Sequence, residues 1–258
     1  MLKKTLIQRI KKLQSKLDSN TIYLFSDSSQ ISYFTEFKFL VKNEREAFLA
    51  ITKKSSSLIY TSFSPIDNFE FINYLPGTYP SQLKANLETI CEKTKHNKIY
   101  FDPETLFVSE LNKLSELQNV TINSMPTNFA KEIMQIKDSE EIKLIKKASK
   151  ISCSVIEDIK TQLKVGISEL EISKLIEKNI KSFAFTDLAF PTIVSFGENS
   201  AKPHHQPGET KLEKETPVLI DMGCKYKGYC SDMTRTFWFG DTPSNSFLKI
   251  QEIVLQAY

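Results

Sequence analysis

The 258-residue sequence predicts a mixed α/β chain, of the α+β kind, on three observations. Short β-branched and aromatic runs alternate with longer helical patterns through the first half, an order that layers helices on a sheet. Two complete helix-start signals stand close together further on, Asp138 with Glu141 and Ser168 with Glu171. Five of the seven glycines (Gly197, Gly208, Gly223, Gly228, Gly240) fall within 44 residues, where the texture changes to strands with polar punctuation. At 40% hydrophobic and 25% charged residues, the chain is neither disordered nor fibrous. A net charge of +3, evenly mixed, argues against a nucleic-acid partner. No apolar run approaches the ~18–20 residues of a membrane span.

The N-terminal segment places Leu2, Leu6, Ile10, Leu13 and Leu17 at helical spacing among six basic residues. An amphipathic helix packing on its own domain fits this pattern, and a membrane-surface helix or transit peptide would look similar. Strands are expected at 21–25, 46–52 and 57–63, with a turn at 53–56 and an aromatic, apolar run at 31–39 between the first two. Helical patterns cover 80–93 and 104–117, separated by a short apolar run at 98–101 and followed by a strand at 120–122. These elements form a first domain over 1–125. The polar, proline-bearing stretch after it makes 126–137 a linker, and 138–258 a second domain.

In that second region Asp138 and Glu141 open a helix whose face runs Ile142, Ile145, Ala148, Ser152, Val155, Ile159 and Leu163, with Gly166 just beyond. Ser168 and Glu171 open the next, stapled by Ile167 and Ile172. Four cysteines (Cys91, Cys153, Cys224, Cys230) form no zinc spacing. Cys224 and Cys230 could approach across a hairpin, but one local pair is no disulfide framework. With no signal peptide visible, free thiols in a cytoplasmic protein are expected.

Strands at 192–196, 218–223 and 229–239 carry the residues that point to chemistry. A hairpin turning about Tyr226-Lys227 would set Asp221 opposite Asp232, Leu219 opposite Thr234 and Gly223 opposite Cys230. Opposed carboxylates repel unless one is protonated or a cation lies between them; both could also be simply solvated. Oxygen ligands suit Mn²⁺, Mg²⁺ or Ca²⁺, and an added imidazole admits Fe, Co or Zn. Thr234 and Arg235 follow on the same strand, and Arg235, one of three arginines, could pair in a bidentate fashion with a carboxylate. The loop Pro203-His204-His205-Gln206-Pro207-Gly208 precedes the hairpin and holds two of the three histidines. A histidine there could bind a metal, donate to a substrate carbonyl, stabilise an oxyanion, or sit in water.

Taken together, SFGENSAKPHHQPG and PVLIDMGCKYKGYCSDMTRTFWFG resemble the pita-bread metallopeptidases, and among them the Xaa-Pro aminopeptidase, prolidase and creatinase branch. The preceding AKEIMQIKDSEEIKLIKKASKIS resembles the start of that catalytic domain, and the first 125 residues resemble the creatinase-type N-terminal domain. In ISYFTEF, Glu36 stands where relatives carry a glycine. The resemblance implies metal-dependent hydrolysis of the peptide bond preceding proline, on a peptide with proline at its second position, without nucleic acid or membrane. It implies two divalent ions, manganese foremost and cobalt or zinc in some members. It makes Asp221 and Asp232 metal ligands, His204 the histidine that meets substrate, and Thr234 and Arg235 supports of the site. Homodimers are common in the family. A catalytically silent binding protein of the same fold is the alternative. In the family a histidine and two glutamates complete the ligand set downstream of the aspartates; this sequence ends at Tyr258, within a helical pattern of Ile250, Ile253, Val254 and Ala257. The resemblance therefore implies a partial catalytic domain that is inactive alone.

Overall fold

The computed structural model describes residues 2–41, 44–126 and 128–257, and the chain divides into two compact units, Met1–Ile136 and Lys137–Tyr258. The first opens with α1 (Leu2–Gln14), β1 (Thr21–Phe25), α2 (Ser28–Thr35), β2 (Ala47–Ile51), β3 (Ser56–Tyr60) and β4 (Asn73–Pro76). It continues with α3 (Pro80–Thr94), β5 (Lys98–Phe101), α4 (Val108–Leu114), β6 (Thr121–Ser124) and α5 (Lys131–Gln135). Six strands form one sheet in the order β4-β3-β2-β1-β5-β6. β2 runs against both neighbours, whereas the β1–β5, β5–β6 and β3–β4 pairs are parallel.

Both faces of this sheet are covered, so its central strands are apolar at every position rather than at alternate ones. Tyr23 and Phe25 point to a core shared with Ile10 and Leu13 of α1, Phe34 of α2 and Ile133 of α5. Ile22 and Leu24 point the other way, to Leu83 and Leu87 of α3 and Leu114 of α4. The apolar stripe of the N-terminal helix is thereby used inside the first unit. The run at 31–39 is mostly α2, capped by Asp27, whose carboxylate accepts from the Gln30 amide at 2.8 Å. α2 ends at Glu36 with φ 57°, the left-handed conformation that a glycine supplies without strain. Glu36 thus keeps the turn, at a conformational cost of about 1 kcal/mol.

The stretch expected as a linker contains α5, and Ala130 and Ile133 are buried in the first core, so the first unit extends to Ile136. Thr127 of that stretch lies outside the described residues. The helix read at 104–117 is shorter, Val108–Leu114, because residues after Asp102-Pro103 form turns first.

The second unit begins with α6 (Ser139–Gln162) and α7 (Glu169–Lys181). Their capping boxes form as the sequence predicts. Asp138 accepts from the Glu140 and Glu141 amides at 2.9 and 3.0 Å while Glu141 accepts from the Asp138 amide at 2.8 Å. Ser168 accepts from the Glu171 amide at 3.1 Å and Glu171 from the Ser168 amide at 2.7 Å. There follow β7 (Thr186–Leu188), β8 (Ile193–Phe196), a 3-10 turn (Gly197–Ala201), β9 (Thr216–Met222), β10 (Cys224–Tyr226), β11 (Tyr229–Cys230), β12 (Met233–Phe239) and α8 (Asn245–Ala257). Two three-stranded sheets result, β11-β10-β7 and β12-β9-β8. Ile151, Val155 and Ile159 of α6 and Ile172, Ile176 and Ile180 of α7 pack on Val194, Phe196, Val218, Ile220 and Met222. Among the described residues no helix is long and apolar enough to cross a membrane.

Candidate active site

β9 alternates. Val218, Ile220 and Met222 are buried in the core, and Pro217, Leu219 and Asp221 between them are half-buried. The strand period of two therefore delivers Asp221 to the face opposite the core. Thr234 lies directly across from it on β12, and Ile193 across from it on β8. The Thr234 hydroxyl donates to Asp221 Oδ1 at 2.9 Å.

This register corrects the expected one. The turn is Lys227-Gly228, with Tyr226 paired to Tyr229, and not Tyr226-Lys227. Lys227 and Gly228 have φ 47° and 87°, as a two-residue hairpin turn with both central residues at positive φ requires. Gly228 takes the second central position, where a side chain is least tolerated; placing it outside the turn would waste it. Asp221 consequently faces Thr234, and the pairs on either side (Met222 with Met233, Ser231 hydrogen-bonded to Cys224) set Asp232 against Gly223. The two carboxylates are diagonal neighbours, with Cα atoms about 7–8 Å apart in a regular ladder, instead of directly opposed.

Gly223 sits where the ladder breaks between the two sheets. A Cβ there would lie 2.2 Å from the Ser231 carbonyl oxygen and 2.7 Å from Phe190. The break is pinned from below: Ser152 on α6 and Ser231 share a hydrogen bond of 2.8 Å, and Ser231 Oγ accepts from the Cys224 amide at 3.0 Å. These contacts fix the backbone just before Asp232. Cys224 is buried and shares no face with Cys230, which stands opposite Lys225; all four cysteines are free. Burial, with Cys230 nearby, pushes the Cys224 thiol up.

Arg235 does not pair with a carboxylate among the described residues. Its guanidinium is exposed and donates to the Thr234 carbonyl at 2.8 Å. The register explains this: Arg235 is opposite Ile220, on the face away from Asp221.

His204 is exposed, with φ 55°, and its imidazole makes no hydrogen bond among the described residues. His205 beside it is held. Its Nε2 lies 2.8 Å from Glu169 Oε2, which also accepts from the Gly208 amide at 3.1 Å. Glu169 Oε1 accepts from the Phe196 amide at 2.8 Å and from Asn199 at 2.9 Å. Glu169 itself is fully buried. Burial pushes its carboxyl up, but the hydrogen bonds from His205, Asn199, Phe196 and Gly208 outweigh burial and hold it below the ordinary value. An ionised carboxylate only accepts, so His205 carries its proton on Nε2. Sequence reasoning passed over Glu169 as the first residue of a capped helix. A second acidic residue inside the Ser168–Glu171 box, beyond what capping needs, was the signal.

Asp221 and Asp232 are hard oxygen donors with no cationic side chain at ion-pair distance among the described residues, which suits a divalent cation in kind. In number they fall short, since no three His, Cys, Asp or Glu residues gather among the described residues.

Residues 143–258 match metallopeptidase family M24. An uncharacterized peptidase of Staphylococcus haemolyticus is 35% identical over 234 residues, spanning 88% of this chain and 64% of its own. One from Staphylococcus epidermidis is 32% identical over 257 residues, 98% of this chain and 71% of its own. The chain thus spans about two thirds of the length of these relatives. Among solved structures, an Xaa-Pro dipeptidase from Bacillus anthracis superposes with a TM-score of 0.84 at 25% identity, over 98% of this chain and 70% of that one. A prolidase from Thermococcus sibiricus gives 0.77 at 30% identity, over the same 98% and 70%. The aminopeptidase P fold from Escherichia coli superposes at 0.82 with 21% identity, over 98% of this chain and 66% of that one. With its aspartate-bearing hairpin and its histidine loop, the chain is a member of metallopeptidase family M24.

Proposed function

We propose that this chain carries the aspartate pair and the substrate-facing histidine of a peptidase that cleaves the bond preceding proline. The observation that supports this reading is the pair itself. Asp221 stands on β9, turned away from the core by strand alternation, Asp232 stands just before β12, and neither has a cationic partner among the described residues. Asp221 and Asp232 would hold divalent ions, manganese foremost and cobalt or zinc as alternatives. Such ions supply acidification of water and polarisation of the scissile carbonyl.

The remaining roles belong to side chains in view. Thr234 donates to Asp221 Oδ1, which orients that carboxylate and leaves Oδ2 for a ligand. Arg235, through the Thr234 carbonyl, ties down the backbone carrying this donor. His204, whose imidazole makes no hydrogen bond among the described residues, is available to donate to a substrate carbonyl and to the charge that develops on it. The substrate is a peptide with proline at its second position.

The absence of a three-donor cluster among the described residues favours a second reading for these 258 residues alone, a binding protein without turnover. Calorimetric titration of the chain with Mn²⁺, beside Asp221→Asn and Asp232→Asn, separates the two. Binding that either substitution weakens at least tenfold supports the aspartate site. Unchanged binding in both variants sinks it. Mn²⁺-dependent cleavage of an Xaa-Pro dipeptide and of a longer Xaa-Pro peptide then distinguishes dipeptidase from aminopeptidase, and cleavage of neither by the metal-loaded chain leaves the binding role.

A further inference from the structure

Glu169, a fully buried charge in the second unit, is a carboxylate that makes none of the proposed contacts with metal or substrate. Both oxygens of Glu169 are fully subscribed, and the donors come from three separate places: the end of β8, the 3-10 turn, and both sides of the histidine loop. No bond goes to the amides of α7, whose first turn is already capped by Ser168. Capping therefore does not explain Glu169. The backbone adds to the grip: the Leu170 amide donates to the Gly208 carbonyl at 2.9 Å and the Glu169 amide to the Thr210 carbonyl at 3.2 Å.

His204 immediately precedes the first of these loop anchors. Its neighbour His205 is fixed by the ring, Gly208 is fixed by its amide, and His204 itself is in the left-handed region. That region is sparsely populated by residues other than glycine and persists where the surroundings over-determine it. With His205 and Gly208 so held, the chain is restrained directly on the C-terminal side of His204.

We propose that Glu169 is a positioning residue for His204: by clamping His205 and Gly208 it fixes the backbone that presents the His204 imidazole to the substrate carbonyl. This rests on the reading of His204 as the substrate-facing histidine, but the clamp itself is testable without turnover.

The chain has three histidines, His96, His204 and His205, so ¹⁵N imidazole spectra of the full chain resolve each ring. In Glu169→Gln the amide offers one accepting oxygen and turns its NH₂ toward two N–H donors, so half of the clamp is lost. The expected result is that the His204 cross-peaks shift and double or broaden, although His204 makes no bond to Glu169, while His96 in the other unit stays unchanged. Unaltered His204 signals beside altered His205 signals would overturn the proposal, because Glu169 would then serve its direct partner only. Should the variant fail to fold, hydrogen exchange in the unmodified chain decides. The Gly208 amide should exchange roughly tenfold or more slowly than that of exposed Glu209, the protection a bond to a buried carboxylate gives. Equal rates would refute the clamp. On an Xaa-Pro dipeptide, Glu169→Gln should lower kcat at least tenfold with KM little changed. No turnover by the unmodified chain would count against the proposed activity alone, with the spectra still judging the clamp.

Discussion

β2 of the first unit and β9 of the second are both central strands, and they are buried in different ways. Every residue of β2 is buried, with adjacent positions feeding two separate cores. β9 buries alternate residues only, and its other face carries Asp221. A sheet covered on both faces has no position at which an unpaired carboxylate is tolerable, because burial without partners is too costly. A sheet with one covered face offers such positions at every second residue, which is where this chain keeps Asp221.

The widest test of this contrast is core truncation, read by urea denaturation. Phe48→Ala and Leu49→Ala should each cost about 3–4 kcal/mol, although the two side chains point in opposite directions, since both are fully buried. Ile220→Ala should cost about 3 kcal/mol and its neighbour Leu219→Ala under about 1 kcal/mol. Equal losses at 219 and 220 would remove the asymmetry on which the contrast stands.

Gly223→Ala comes next, at roughly 3 kcal/mol. The new methyl group would meet the Ser231 carbonyl at 2.2 Å, a backbone atom that cannot rotate away, so the backbone segments carrying the two aspartates must part. Thermal unfolding measures the cost, and full retention of stability would mean that the hairpin break yields more easily than its packing implies.

A smaller effect sharpens the comparison between buried carboxylates. Glu46 in the first unit is fully buried; burial raises its pKa, but donation from the Val41 and Leu40 amides and from Ser64 brings it below the ordinary value. Glu169 is lowered in the same way. A depressed carboxyl contributes stability that is present above its unfolded pKa of about 4.3 and lost as pH falls through the folded value. Stability curves for Glu46→Gln and Glu169→Gln should therefore be flatter than that of the unmodified chain between about pH 5 and 3. An equally steep acid limb in both variants would place the acid sensitivity elsewhere.

Much of this was legible from residue order because it depends on local chemistry. The two capping boxes were readable since both partners of each bond lie within four residues, and the helix at the N-terminus since its stripe repeats every turn. β4 and β7 were not foreseen; each is short, four and three residues, and exists because a neighbouring strand offers it a ladder. The aspartate hairpin was readable in kind and misread in register. Shifting the turn from Tyr226-Lys227 to Lys227-Gly228 leaves every side chain on its face but changes who stands opposite whom. Arg235 was expected on a carboxylate, but strand alternation puts it on the face away from Asp221 in either register.

By itself, the sequence determined the helix starts, the alternation that turns Asp221 away from the core, and the family pattern of histidine loop and aspartate strands. Each of these is set by residues near one another along the chain. Only the tertiary structure decided that Asp232 stands diagonal to Asp221, that Thr234 serves Asp221, and that Glu169 holds the loop containing His204. Glu169 and His205 are 36 positions apart, and their bond closes at 2.8 Å. No periodicity or local propensity encodes such a contact; it exists because packing α7 against β8 leaves one buried charge, and every donor within reach must turn to satisfy it.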